Sequence, residues 1–456
     1  MWLLYQLAMA FALVIAAPFL LIRRGAHYLE TLPGRLTLRL PTAPSGSLWL
    51  HAVSVGEVGV AATVARALPE SVPLLVTTVT PTGQARARAT LGERATVAYL
   101  PFDLGFAVRR FMRHFRPTGL VLVEGDYWPL VLRATRRARI PVTVVNGRVS
   151  GSSFGRMRKV RPLSGLFFDP VDRFGMQTTA DRDRLTALGV DPDRIEITGN
   201  LKFDADEPPP LDALGEHMRA LAAGREILVA GSTMAGEDEQ VLDAFTELEP
   251  NTALLILAPR HPERCPDVLR LLGDRGIRHV ARSRLETPTE SDRVSESAPE
   301  STQNESSRNK SSHVDVVLLD TLGELASLYR FATAAFVGGT LVATGGHNPL
   351  EPARFAVPTV VGPSMENFRD IANSFDHAEA WHRVENSDAL AAIWRSWLAD
   401  HEAARAVGAR GAELVAASRG ALARTVDLLS PVVESIGSVE VTGPVKIIER
   451  GDRESV

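Results

Sequence analysis

The sixteen-residue run 338–353, GGTLVATGGHNPLEPA, has the residue types of a loop that receives an anionic nucleotide. Its two glycine pairs allow close backbone approach, Asn348 suits a helix N-cap, and Pro349 suits a first helical position, so that free amides would face a phosphate. Glu351, in the expected first turn, is placed to accept hydrogen bonds from a ribose diol. Such a loop suits a transferase that uses an activated sugar. An ordinary capped strand-to-helix turn with an acidic first turn has the same pattern.

Further polar groups follow apolar runs at intervals along the chain. In WLHAVSVGE, residues 49–57, a strand pattern leads into Ser54-x-x-Glu57 and then an Ala/Val-rich helix pattern. A carboxylate at the carboxyl end of a strand can take a proton from an attacking hydroxyl. The same four residues form a capping box, in which Glu57 reaches back to the Ser54 amide. His51 and Ser54 also invite a hydrolase reading, but no nucleophile elbow is present. Glu124-Gly-Asp126-Tyr-Trp128-Pro129 ends the next such run, with two acids suited to handling sugar hydroxyls or protons, or to capping a helix. Asn146-Gly-Arg148 offers an arginine for an anion. Gly199-Asn200-Leu-Lys202 offers a lysine able to stabilise a departing phosphate. Pro259-Arg260 supplies another cation, and Leu322-Gly323-Glu324 a glycine amide near a helix start.

The elements that must position these groups alternate between strand-like and helix-like patterns. β-rich runs at 48–54, 72–80, 95–102, 119–123, 140–145 and 194–198 form one series; those at 226–230, 253–258, 314–319, 334–337 and 357–361 form another. This alternation predicts two doubly wound α/β domains with parallel sheets. The proline run at 208–210 suits a hinge between them. We therefore expect domains at 25–207 and 208–437. Residues 283–313, rich in Ser, Glu, Thr, Pro and Asn, read as a disordered insertion, and 438–456 as a flexible tail.

At 456 residues and 45% hydrophobic, the chain can bury a sizeable core. Its formal charge of −4 is unevenly spread: residues 1–204 carry 26 Lys/Arg against 15 Asp/Glu, a balance of +11, which leaves −15 for the rest. The first half should face something anionic, and no nucleic-acid motif accompanies the charge. The single cysteine, Cys265, excludes an internal disulfide framework and fits a reducing cytoplasm. Residues 1–22 are uncharged and apolar and are followed by Arg23 and Arg24, which predicts an uncleaved membrane anchor at 1–24 with the body on the cytoplasmic side. A helix lying in the interface is the alternative. The stretch 108–116, with Phe111, Met112 and Phe115 among its arginines, reads as a basic amphipathic helix at an anionic lipid surface.

Taken together, HAVSVGE, TTVTPTG, YLPFD, EGDYWP, NGRVS, GNLKFD, AGST, APRHPER, DTLGEL and GGHNPLEPA resemble, in order and spacing, the 3-deoxy-D-manno-octulosonic acid (Kdo) transferases of lipopolysaccharide synthesis. The resemblance implies a GT-B glycosyltransferase with two Rossmann-like domains and the active site in the cleft between them. It implies CMP-Kdo as donor, a lipid A precursor (lipid IVA) as acceptor, an inner-membrane location, and neither metal nor other cofactor. It also implies that Glu57 is the general base, that Glu124 and Lys202 support the transition state, and that CMP is held by Pro259, Arg260, Leu322, Gly323, Glu324, Asn348, Pro349, Leu350 and Glu351. The chain departs from the family pattern at Gly125-Asp126-Tyr127 and at Met234-Ala235. Other readings are a different GT-B sugar transferase, a nucleotide-sugar epimerase, or an inactive membrane-anchored scaffold.

Overall fold

The computed structural model describes residues 2–24, 26–204, 207–285 and 314–437. The chain divides into two compact units, 1–205 with 419–456, and 206–418. Most of the expected insertion, from 286 to 313, and the expected tail lie outside the described residues.

The first unit is built on seven parallel strands: β1 (Leu48–His51), β2 (Leu74–Thr78), β3 (Ala95–Tyr99), β4 (Gly119–Val123), β5 (Val142–Gly147), β6 (Arg173–Met176) and β7 (Ile195–Ile197). Their order is β3-β2-β1-β4-β5-β6-β7. Helices cover both faces, so the central strands read as unbroken apolar runs; all five residues of β4, GLVLV, are buried. The winding reverses between β1 and β4, where Leu48 pairs with Gly119. That switch point places the loops carrying Glu57 and Glu124 side by side, where doubly wound sheets bind ligands.

The second unit repeats the plan with β8 (Glu226–Thr233), β9 (Ala253–Pro259), β10 (His279–Ala281), β11 (Val316–Leu318), β12 (Ala334–Val337), β13 (Thr359–Val361) and β14 (His382–Arg383). The order is β10-β11-β9-β8-β12-β13-β14, again parallel throughout. Its switch point lies between β8 and β12, and the loops after them are AGST and the glycine-rich run. Every apolar run read as a strand overlaps one. The strands the sequence did not reveal, β6, β10 and β14, have four, three and two residues, too few to show a period.

The helices that matter for the site are α1 (Trp2–Arg24), α2 (Val55–Ala67), α3 (Gly105–Phe115), α4 (Pro129–Ala138), α5 (Gly165–Phe168), α6 (Leu350–Ala353) and α7 (Ala421–Gly437). The start of α1 is docked on the first unit. The Tyr5 hydroxyl donates to Asp103 Oδ2 at 2.6 Å, the Gln6 side chain accepts from the Gly105 amide at 3.0 Å, and Arg133 stacks over Trp2. Among the described residues, no helix is long and apolar enough to cross a membrane. The apolar face of α3 is also accounted for: Phe111 and Phe115 are buried, Phe111 against Trp49 at 4.7 Å between centroids. The sequence reads this stretch as a basic amphipathic helix at an anionic lipid surface. It packs on the sheet because its spacing matches the unit's own core, leaving the arginines and Phe106 outside.

The expected second domain ran to residue 437, but α7 belongs to the first unit. Its buried Leu429 and Val432 join the core beneath α2, and a Cβ on Gly119 would meet Val432 at 2.5 Å. Asp204 fastens its start by accepting from the Gly420 and Leu422 amides at 2.8 and 2.6 Å. Composition alone gives no sign of this return, because an amphipathic helix looks the same whichever unit it covers. Leu429→Ala is expected to destabilise the first unit by about 3 kcal/mol, as a truncated core leucine does. Urea unfolding followed by a probe in that unit checks this; a loss confined to the second unit would contradict the assignment.

Candidate active site

Glu57 occupies the first turn of α2, at the carboxyl end of β1. Ser54 is the N-cap and its hydroxyl accepts from the Glu57 amide at 3.4 Å. The Glu57 carboxylate accepts from the Val53 amide at 2.7 Å and from the Ser54 hydroxyl at 3.0 Å. The capping box therefore forms, but its return bond goes to Val53, one residue earlier than expected. Burial pushes the Glu57 carboxyl up; the Val53 amide opposes this, and the negative field of Glu124 adds to it. A half-buried carboxylate held in one orientation and made more basic is what proton abstraction near neutrality requires.

Glu124 follows β4 with φ at 61°, in the left-handed region, and Asn146 follows the core of β5 with φ at 53°. Backbone strain of this kind collects where side chains must be aimed. Asn146 Nδ2 donates to Glu124 Oε1 at 3.4 Å while its Oδ1 accepts from the Leu201 amide at 2.9 Å. One buried amide group thereby fixes both Glu124 and the turn that bears Lys202. Lys202 Nζ lies 3.8 Å from Glu124 Oε1. The sequence reading singled out Arg148 in the Asn146 box and passed over Asn146, although an asparagine at the carboxyl end of a buried strand is the available signal.

A second chain of polar groups runs alongside. The Trp49 indole N–H donates to the Thr77 hydroxyl at 2.7 Å, and that oxygen lies 2.9 Å from His51 Nδ1. Nδ1 also lies 3.2 Å from the Thr77 carbonyl, and the other ring nitrogen, Nε2, faces Asp126 Oδ2 at 3.6 Å. Asp126 also accepts from Trp128 Nε1 at 2.8 Å. Burial pushes the Asp126 carboxyl up, but His51, Trp128 and the field of Arg35 outweigh it and hold the group below its ordinary range. The shortened acid of this box thus stays ionised, and His51 serves it rather than a hydrolase serine.

The second unit gathers its groups on the β9, β8 and β12 loops. Glu237, fully buried, accepts from the Met234 and Gly339 amides with one oxygen, at 2.8 and 2.6 Å, and from the Thr340 and Leu341 amides with the other, at 2.8 Å each. The amides of Gly345, Gly346 and His347 are likewise bonded within the unit. The expectation that the glycine run turns free amides to a phosphate is overturned for these six positions. The loop is shaped by an internal carboxylate, and the glycines serve its tight turns: Gly339, Gly345 and Gly346 have φ between 71° and 90°. Glu237 is the loop-shaping residue the sequence reading missed. Its box was noted only for Met234 and Ala235, and because Met234 contributes its backbone amide, that departure leaves the network intact.

Asn348 and Pro349 sit one step earlier than expected. The helix begins at Leu350, with Pro349 at the N-cap, and α6 is a single turn. Asn348 Oδ1 accepts from the Leu350 amide and its Nδ2 donates to Glu351, both at 3.2 Å. Leu350, Pro349 and Pro259 are buried, so their side chains belong to the core and only their backbone can face a ligand. Burial raises the Glu351 carboxyl, with Asn348, Arg354 and Arg260 opposing. Burial also lowers His347, whose Nδ1 lies 2.9 Å from the Gly338 carbonyl, so the ring is neutral at pH 7. Arg260 is exposed beside this group. The β11 loop contributes differently: Leu322 is 79% exposed, Gly323 has φ at 89°, and Glu324 is paired with Arg282 at 2.9 Å rather than joined to Glu351.

The family profile and the curated relatives point to the same family. The profile described as 3-Deoxy-D-manno-octulosonic-acid transferase (kdotransferase) matches residues 30–205. The 3-deoxy-D-manno-octulosonic acid transferase of Haemophilus influenzae is 33% identical over 399 residues, covering 86% of this chain and 88% of that protein. That of Bordetella pertussis is 32% identical over 409 residues, covering 87% and 90%. Among solved structures, a UDP-GlcNAc 2-epimerase from Neisseria meningitidis shares the fold, with a TM-score of 0.54 at 11% identity, covering 84% of this chain and all of the other.

The two carboxylates should respond oppositely to loss of charge. Because the Glu57 pKa is raised, its contribution favours the fold below the ordinary carboxylate range and is lost as pH rises through the raised value. Glu57→Gln should therefore keep or raise the thermal midpoint at pH 7, and the difference from wild type should close on acidification. Glu237→Gln sets an amide N–H₂ against two backbone donors and should cost about 3 kcal/mol. Calorimetry at pH 7 and pH 5 separates the two; equal losses would contradict this account of Glu57.

Proposed function

We propose the acceptor, stereochemistry and site residues for a reaction whose class is established: the chain belongs to the 3-deoxy-D-manno-octulosonic acid (Kdo) transferase family, and is a glycosyltransferase that transfers Kdo in lipopolysaccharide biosynthesis. CMP-Kdo is the donor and a lipid A precursor, lipid IVA, the acceptor. Glu57 removes the proton from the primary hydroxyl of the distal glucosamine. The freed oxygen attacks the anomeric carbon of Kdo, the bond from that carbon to the CMP phosphate oxygen breaks, and CMP leaves with the bonding electrons. A single displacement inverts the anomeric carbon. The observation that carries this reading is the Glu57 carboxylate, pinned by Val53 and Ser54 and made more basic by burial.

The transition state has oxocarbenium character, so charge builds on the departing phosphate. Lys202 supplies a cation for it, oriented by Glu124 through their 3.8 Å pair, and Arg260 is a cation of the second unit for the nucleotide. Glu351, fixed by Asn348, suits the ribose hydroxyls, the backbone of Pro259 and Gly323 offers polar groups to the nucleotide, and Pro349 and Leu350 hold the turn that carries Asn348 and Glu351. Leu322 and Glu324 contribute from the loop after β11. Asp126, ionised and anchored by Trp128, lies on the acceptor side, where it can accept from a sugar hydroxyl.

The same reading places the protein at the cytoplasmic face of the inner membrane, attached through α1. The docked face of α1 holds Trp2, Tyr5 and Gln6 on the first unit, while Leu3, Leu4, Leu7, Phe11 and Ile15 are all more than half exposed. A helix fastened to the folded body along one side, with apolar residues on the other, suits an element lying in the bilayer interface.

The test mixes purified protein with CMP-Kdo and tetra-acylated lipid A precursor and follows CMP release together with acceptor mass. The parent protein should add Kdo to the acceptor, and Glu57→Gln should lower turnover by about 10²- to 10⁴-fold. CMP release without acceptor mass gain would refute the acceptor, and undiminished turnover in Glu57→Gln would remove it as the base.

A further inference from the structure

The first unit contains a cavity of about 340 Å³ that the transfer mechanism does not use. Trp2 of α1 forms one wall, Pro129, Arg133 and Arg136 of α4 another, and Leu163 with Leu166 and Asp169 the third. Arg133 and Arg136, three residues apart on one helix, present their cations along the same side. No carboxylate pairs with either among the described residues. The one acid in the lining, Asp169, has its carboxylate folded against Gly165, where a Cβ would meet it at 2.8 Å. The lining therefore keeps a positive balance.

The rim has a different chemistry. Leu3, Leu4 and Leu7 follow Trp2 on α1 and are exposed, and Leu163, in the lining, is 50% exposed. Arg133 stacks on the Trp2 ring at 4.3 Å, which ties the cation to the helix that carries the apolar face. A compact anionic group with acyl chains attached satisfies both: its phosphate meets the guanidinium pair and its chains continue over the exposed leucines. The volume is at the small end of ligand pockets, as a headgroup requires.

We infer that this cavity is a headgroup site for an anionic glycerophospholipid of the bilayer, distinct from the catalytic groups, which orients the first unit on the membrane through α1 and α4. The inference rests on the membrane attachment proposed above. It goes further by assigning the charge preference to two named arginines instead of to the general +11 balance of residues 1–204.

The experiment is co-flotation of the full chain with phosphatidylcholine vesicles, with and without phosphatidylglycerol, at fixed ionic strength. The wild type should bind both and prefer phosphatidylglycerol. Arg133→Ala with Arg136→Ala should keep binding to phosphatidylcholine but lose about ten-fold of the phosphatidylglycerol preference. Arg369→Ala with Arg405→Ala, which removes the same charge from exposed positions of the second unit, should leave the preference unchanged. Leu166→Trp, which fills the cavity and keeps both cations, should lose the preference as the arginine pair does. Circular dichroism confirms that each variant is folded. Equal losses in both arginine pairs, or a preference that survives Leu166→Trp, would overturn the site while leaving membrane attachment standing. A wild type that floats with neither vesicle would overturn the attachment and the site with it.

Discussion

A hydrogen bond of 2.7 Å, from the Val53 amide to the Glu57 carboxylate, is the constraint on which the candidate chemistry depends. It spans the point where β1 becomes α2, so it aims the side chain and ends the strand at once. The bond favours the ionised group, burial disfavours it, and burial is the larger effect. The resulting carboxylate is more basic than a free one yet cannot swing away. The capping role and the base role, which compete as readings of the sequence, are one arrangement: the cap supplies the preorganisation that a base needs.

Buried or half-buried carboxylates recur as the devices that hold this molecule's loops. Asp103 accepts from the Leu130 and Val131 amides and the Tyr5 hydroxyl, joining α4 to α1. Asp204 starts α7, and Glu237 gathers four amides from two loops. In each case several backbone donors offset the desolvation of the charge, which apolar packing alone could not do. Asp103 and Glu237 differ from Glu57 in accepting from three and four donors. Glu57, like Asp204, accepts two bonds and is left with acceptor capacity, and it stands at the β1–β4 switch point, where doubly wound sheets bind ligands.

Much of the fold was legible because parallel strands buried on both faces must be apolar throughout, and the runs at β4, β9 and β12 are. The loops carrying Glu57, Glu124, Lys202 and Arg260 were legible for the same reason, since they follow such runs. What stayed hidden depends on contacts between distant segments. The return of α7, the hold of Glu237 on residues 102–104 positions away, and the bridge from Asn146 to Leu201 leave no periodic trace. The glycine-rich run shows the limit most clearly: its composition fits both an anion cradle and a set of tight turns, and only the amide partners show that most of its donors face inward.

The central claim is that Glu57 acts as a base whose pKa is raised partly by Glu124. The most direct measurement is the pH dependence of kcat/KM for Kdo transfer in wild type and in Glu124→Gln. Removing that negative field makes ionisation of Glu57 easier, so the acidic limb of the profile should move to lower pH even as the rate falls. An acidic limb that stays in place or moves to higher pH would contradict the account.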